Sequence, residues 1–140
     1  DCAAALKASR VLFQCPASFQ PTPENLKRMR EFFSSVERKK LRFYWEPRGA
    51  AWTDKTVREL CAELDLVHVV DPFAARTVTT SRERYFRLHG RGGWRYQYET
   101  GELEELLTTL PRGKTSYVFF NNVRMHEDAA RFQELARLEA

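Results

Sequence analysis

Five short apolar segments begin near Val11, Leu41, Val67, Tyr85 and Thr115, and helix-periodic stretches separate most of them. Val11 to Pro16 is a continuous apolar run closed by proline, which suits a strand buried on both faces. Leu41 to Glu46, Val67 to Asp71, Tyr85 to Arg91 and Thr115 to Phe120 follow as further strands, rich in aromatic or β-branched residues. Between them, Thr22 and Pro23 start a helix with Leu26, Met29, Phe32, Phe33 and Val36 on one face, and Thr53 caps a second through Val57, Leu60, Cys61 and Leu64. Thr100 is expected to cap a third through Leu103, Leu106, Leu107 and Leu110. A last helix carries Ala129, Ala130, Phe132, Leu135 and Leu138. Residues 1–7 read as the last turns of a helix, and Thr77 to Ser81 as loop. Strands alternating with helices imply right-handed crossovers and a parallel sheet, hence an α/β fold of parallel β/α repeats. A (β/α)₈ barrel of about 250 residues spends roughly 31 on each repeat, so this chain holds too few strands to close one. The sheet is therefore open, or part of a larger barrel.

With 140 residues, the chain is expected to form a single domain, residues 1–140. Its net charge of +4 admits an anionic partner, a small molecule or nucleic acid, without requiring one. Most basic residues lie beside acidic ones on helices and read as solvated surface. No long uncharged apolar run suggests a membrane span, and the first residues lack the basic-then-apolar pattern of a secretory signal. Cys2, Cys15 and Cys61 are odd in number and widely spaced, which indicates neither a disulfide framework nor a zinc knuckle and points to a reducing, cytoplasmic setting. Nothing in the sequence fixes an oligomeric state.

Each strand is expected to deliver polar groups at its carboxyl end: Gln14 and Cys15; Trp45 and Glu46 with Arg48; Asp71; His89 and Arg91; Asn121 and Asn122. In a parallel sheet these ends lie along one edge, where α/β proteins bind ligands. An imidazole and guanidinium groups beside Gly90, which lets backbone approach closely, make the fourth strand the centre of this expected pocket.

Five stretches also resemble, in order and spacing, the successive signatures of the YecE-like family (domain of unknown function 72). They are Phe13-Gln14-Cys15-Pro16, Trp45-Glu46-Pro47-Arg48, Tyr85-Phe86-Arg87-Leu88-His89-Gly90-Arg91, Tyr96-Gln97-Tyr98 and Phe119-Phe120-Asn121-Asn122. The resemblance covers nearly the whole chain and implies a TIM-type barrel, of which this sequence is similar to the carboxyl-terminal part, from about the fourth strand to the eighth. The family's glycine- and tryptophan-rich first strand has no counterpart here. Cys15 stands where the family more often has an apolar residue, so it is not read as a nucleophile. The resemblance implies a fold and a pocket, not an established reaction.

Three chemistries remain open for that pocket. Glu46, Asp71 and His89 would serve a hydrolase or nuclease for a phosphate-containing substrate, as acid/base groups or as ligands of a divalent metal, with Arg91 on the anion. His68 lies inside a strand and His126 well past the last one, so the ligand set is thin. Alternatively, Glu46 and Asp71 form the carboxylate pair of a metal-free glycoside hydrolase, with Trp45, Trp94, Tyr96 and Tyr98 as stacking surfaces. In the third reading the chain binds nucleic acid or a nucleotide without catalysis, through Arg48, Arg91, Arg95 and the aromatics. Gln14, Trp45, Arg48, Arg87, Arg91, Tyr98, Asn121 and Asn122 are the expected ligand contacts.

Overall fold

The computed structural model describes residues 2–138. Helices and strands alternate as α1 (Cys2–Ala5), β1 (Arg10–Gln14), α2 (Pro23–Ser35), β2 (Arg42–Glu46), α3 (Asp54–Glu63), β3 (Val67–Val70), β4 (Glu83–Leu88), α4 (Thr100–Thr109), β5 (Thr115–Phe120) and α5 (Met125–Leu138). The expected α1 start at Asp1 lies outside the described residues. The fold is α/β, and no helix is long and apolar enough to cross a membrane among the described residues. The chain gathers into two compact units, residues 2–69 with Val78–Ser81 and Val70–Thr77 with residues 82–138.

In the first unit β1 and β2 pair in parallel from Arg10↔Arg42 to Gln14↔Glu46, and β2 pairs in parallel with β3 at Tyr44↔Val67 and Trp45↔His68. Side chains alternate across a strand. Phe43 and Trp45 therefore face the helices, in a core with Met29 and Phe33 of α2 and Val57, Leu60 and Cys61 of α3. Thr22 and Thr53 cap these helices, their hydroxyls accepting from the N–H groups of Asn25 and Thr56 at 3.2 Å. β1 departs from expectation: it is half-buried rather than enclosed on both faces, and Gln14 is exposed. Its one paired neighbour among the described strands is β2, so one edge of β1 lacks strand cover. On α2, Phe32 is 46% exposed although it shares the apolar periodicity of the buried Met29 and Phe33.

In the second unit β4 and β5 pair in parallel over six residues, Glu83↔Thr115 to Leu88↔Phe120. Phe86, Leu88 and Phe120 face a core completed by Leu103 and Leu106 of α4, Phe132 of α5 and Tyr98. The cap of α4 lies one residue earlier than expected, at Glu99 rather than Thr100. Glu102 reaches back, its Oε2 accepting from the Glu99 N–H at 2.8 Å, which lets a glutamate take the capping position.

Candidate functional site

Alternation along the strands sorts the expected contacts into two groups. In the first unit, Trp45 faces the helices. It is fully buried, its indole N–H donates to Cys15 Sγ at 3.4 Å, and its ring meets Trp52 edge-on at 5.0 Å. It is a core residue in this arrangement. Gln14 and Glu46 are register partners on the opposite face. Glu46 is 5% exposed, and its Oε1 accepts from Arg48 Nε at 3.0 Å and Nη2 at 2.6 Å. Burial raises the Cys15 thiol above its ordinary range, against the lowering effect of the Trp45 hydrogen bond. A thiol so placed stays protonated and is a poor nucleophile.

His68, set aside as a mid-strand residue, is buried and shifted. Desolvation holds its pKa at about 4, although Asp54 and Glu46 pull the other way. Its Nδ1 accepts from the Val78 N–H at 3.2 Å, which places the neutral ring's proton on Nε2. An unfolded histidine titrates near 6.5, so between about 6.5 and 4 the unfolded chain binds a proton that the folded chain refuses. Stability is expected to fall by roughly 2–3 kcal/mol as pH drops through that window, and to be insensitive to this group above it. Urea unfolding of His68→Asn, which keeps an acceptor for Val78, should show a shallower acid limb between pH 7 and 4.5. An unchanged limb would exclude His68 as its source.

The second unit is built around Asp71. Its Oδ1 accepts from the Phe73 N–H at 3.0 Å and its Oδ2 from the His89 N–H at 2.9 Å. Both carboxylate oxygens thus hold backbone, shaping the turn after β3 and anchoring the chain where it leaves β4. Immediately beyond, the Gly90 N–H donates to the Tyr98 hydroxyl at 2.8 Å. Burial raises the Tyr98 phenol well above its ordinary value. The Gly90 hydrogen bond opposes this, and the negative charges of Asp71, Glu102 and Asp128 add to it. Tyr98 is therefore a neutral hydroxyl, stacked on Phe73 at 5.6 Å and meeting Phe120 edge-on at 5.7 Å. Arg91 lies over the Phe73 ring at 4.3 Å and makes ion pairs of 3.3 Å with Glu102 and Glu105 of α4.

Asn121 and Asn122, adjacent in sequence, do different work. Asn122 faces the helices and is 4% exposed; its Nδ2 donates to the Tyr96 carbonyl at 2.7 Å and to Asp128 Oδ2 at 2.6 Å. Asn121 faces away, and its Oδ1 accepts from Arg87 Nη2 at 2.9 Å. Arg87 and Tyr85 occupy the same β4 face, where the Tyr85 ring stacks on Phe119 of β5 at 4.6 Å and 19°. His89 continues that alternation just past the strand end, half-buried. The face opposite the second core thus carries Arg87, His89 and Asn121 at its carboxyl end and a stacked aromatic pair behind them.

Sequence reasoning missed Asp128 and Arg131. Asp128, fully buried near the start of α5, accepts from the Tyr98 N–H at 3.2 Å and pairs with Arg131, which also donates to the Tyr98 carbonyl at 2.7 Å. An aspartate in a helix's first turn reads as surface complementing the helix dipole, and only the Asn122 amide beside it betrays its burial. Among the described residues no three His, Cys, Asp or Glu side chains gather as a metal-holding group.

The family model "Protein of unknown function DUF72" matches residues 3–140. The chain belongs to this family. None of the curated proteins compared matches it. Among solved structures it is similar to two crystal structures of a DUF72 family protein from Enterococcus faecalis V583. The TM-scores are 0.75 and 0.76 at 22% and 24% identity, with 96% of this chain covered in each case. At that identity the likeness shows the fold. The DUF72 chain described here spans 62% and 65% of those two chains, less than two thirds of their length.

Proposed function

We propose that the β4–β5 face bearing Tyr85, Arg87, His89, Phe119 and Asn121 binds a phosphate-bearing small molecule, and that the reaction it serves is phosphoester hydrolysis with His89 moving the proton. What carries this reading is the Arg87 guanidinium held on the Asn121 amide at 2.9 Å, at the carboxyl ends of two parallel strands and on the face away from the core. A planar guanidinium so oriented suits an oxyanion. The Tyr85–Phe119 stack, with Phe119 44% exposed, offers a surface for a planar group such as a base. Acid–base chemistry at His89 has more support than metal-activated water, because no trio of metal-ligating side chains is assembled among the described residues. The carboxylate-pair reading has less, because both oxygens of Asp71 already accept backbone N–H groups. We further infer that the parallel β/α order belongs to the carboxyl-terminal part of a TIM-type barrel working in the cytoplasm.

Calorimetric titration of the full chain with adenosine monophosphate tests the binding. Arg87→Gln and Asn121→Ala should each weaken it about tenfold, or about 1.4 kcal/mol, with the cooperative unfolding transition retained. His89→Ala should bind the nucleotide but lose turnover of bis(4-nitrophenyl) phosphate, and a chelator should leave wild-type turnover unchanged. Wild-type affinity in both binding variants, or loss of their folding transition, would refute the site; chelator-abolished turnover would transfer the chemistry to a metal.

A further inference from the structure

The first unit carries a second polar pocket, at the end where β2 and β3 begin rather than where β2 delivers Glu46. It measures about 400 Å³. Cys61, Ala62, Leu66 and Val78 make an apolar floor, and Arg42, Arg58, Thr79, Thr80 and Ser81 supply the rim. Arg42 is the first residue of β2, and Arg58, Cys61 and Ala62 recur at helical spacing on one face of α3, so the two guanidiniums come from different elements.

The charge around this pocket is unbalanced. Asp65 serves two arginines, with Oδ1 at 3.2 Å from Arg42 Nη1 and Oδ2 at 3.4 Å from Arg38 Nη1. Two acids of α3 are directed to other basic groups, Glu59 to Lys55 at 3.9 Å and Glu63 to Arg30 at 2.7 Å. Arg58 makes no hydrogen bond or ion pair among the described residues, and neither does the Thr80 hydroxyl. Asp65 is thus shared between Arg38 and Arg42, and Arg58 stands without an acidic partner among the described residues, beside a strap of consecutive hydroxyl residues. A solvated surface arginine needs no apolar floor and no ring of hydroxyls; an oxyanion attached to a small apolar group uses both.

We propose that this pocket binds a phosphate monoester. Arg58 and Arg42 hold the phosphate, the 79–81 strap donates hydrogen bonds to it, and the ester's apolar part rests on Leu66 and Val78. The site is independent of the face proposed above, since it lies in the other unit and uses none of the same residues.

Residue-resolved NMR titrations of the full chain with phenyl phosphate, inorganic phosphate and, at matched ionic strength, chloride test it. Phenyl phosphate should shift the amides of residues 79–81 and the Arg58 side chain and bind at least fivefold tighter than inorganic phosphate. Chloride should leave those signals in place. Arg58→Gln should weaken phenyl phosphate binding about tenfold, and Thr80→Val two- to fivefold, both with wild-type unfolding midpoints. Equal affinity for phosphate and phenyl phosphate would overturn the proposal. So would shifts spread over the basic surface that chloride reproduces, or unaltered binding in Arg58→Gln.

Discussion

Replacing Asp128 with alanine is expected to cost about 2–6 kcal/mol of folding stability, the cost of leaving two buried donors unsatisfied. The carboxylate is fully buried. It accepts the Asn122 amide at 2.6 Å, the Tyr98 N–H at 3.2 Å and Arg131 Nη1 at 3.2 Å. Alanine would leave one N–H of the Asn122 amide and the Tyr98 N–H without acceptors, while the amide keeps its bond to the Tyr96 carbonyl, and each such buried donor costs about 1–3 kcal/mol. Asp128→Asn keeps the shape but turns an NH₂ toward groups that are themselves donors, so it should lose an intermediate amount. Urea unfolding with an unchanged m-value measures both. Midpoints at the wild-type position in both variants would mean that Asp128 is solvated in the folded chain and that this network is not what holds the 96–98 segment to α5.

Much of the secondary structure was legible because apolar spacing and punctuation agreed. Thr22-Pro23 and Thr53 mark helix starts, and β5 runs from Thr115 to Phe120 as its residues suggest. The errors were of position and cover. Glu99 took the cap expected of Thr100, because a glutamate three residues on can complete the capping pair, and the preference for threonine at caps does not register that partner. β1 looked enclosed because an apolar run cannot report how many neighbours its strand has. Phe32 and Phe33 illustrate the same point on a helix, since adjacent aromatics on one stripe end up 46% and 7% exposed.

The candidate site was legible as a list and illegible as an arrangement. The sequence names Asn121 and Asn122 alike, yet the pleat turns one outward to Arg87 and the other inward to Asp128. Trp45 and Glu46 divide in the same way, the indole joining the core and the carboxylate the opposite face. Asp71, expected as a catalytic carboxylate because strand ends are where such groups sit, accepts one backbone N–H at each oxygen. Arg91, expected as an anion contact, spans Glu102, Glu105 and the Phe73 ring. Hydrogen bonds to backbone and pairings between residues 6 to 34 positions apart leave no periodic trace in a sequence, so these roles emerge only with the fold.

Gly90 is where sequence motif and steric necessity coincide, and Gly90→Ala is expected to cost about 3–4 kcal/mol. Its φ is +84°, a conformation that costs an L-residue about 1–2 kcal/mol. A Cβ there would lie 2.3 Å from the Gly93 carbonyl oxygen and 2.7 Å from Tyr96 Cβ, and the obstacle is backbone that cannot rotate aside. Relief requires the turn held by the Gly93 N–H to Gly90 carbonyl bond, 3.2 Å, to open. That movement also withdraws the Gly90 N–H from the Tyr98 hydroxyl, adding an overpacking cost of about 1–3 kcal/mol. Gly93 supplies the comparison. It too has a positive φ, +102°, but a Cβ there meets nothing within 4 Å, so Gly93→Ala should lose only the conformational part, about 1–2 kcal/mol. Thermal and urea unfolding of the two variants side by side separate the contributions. Equal losses would mean that backbone strain alone makes residue 90 a glycine and that the close packing of Tyr96 against it is dispensable.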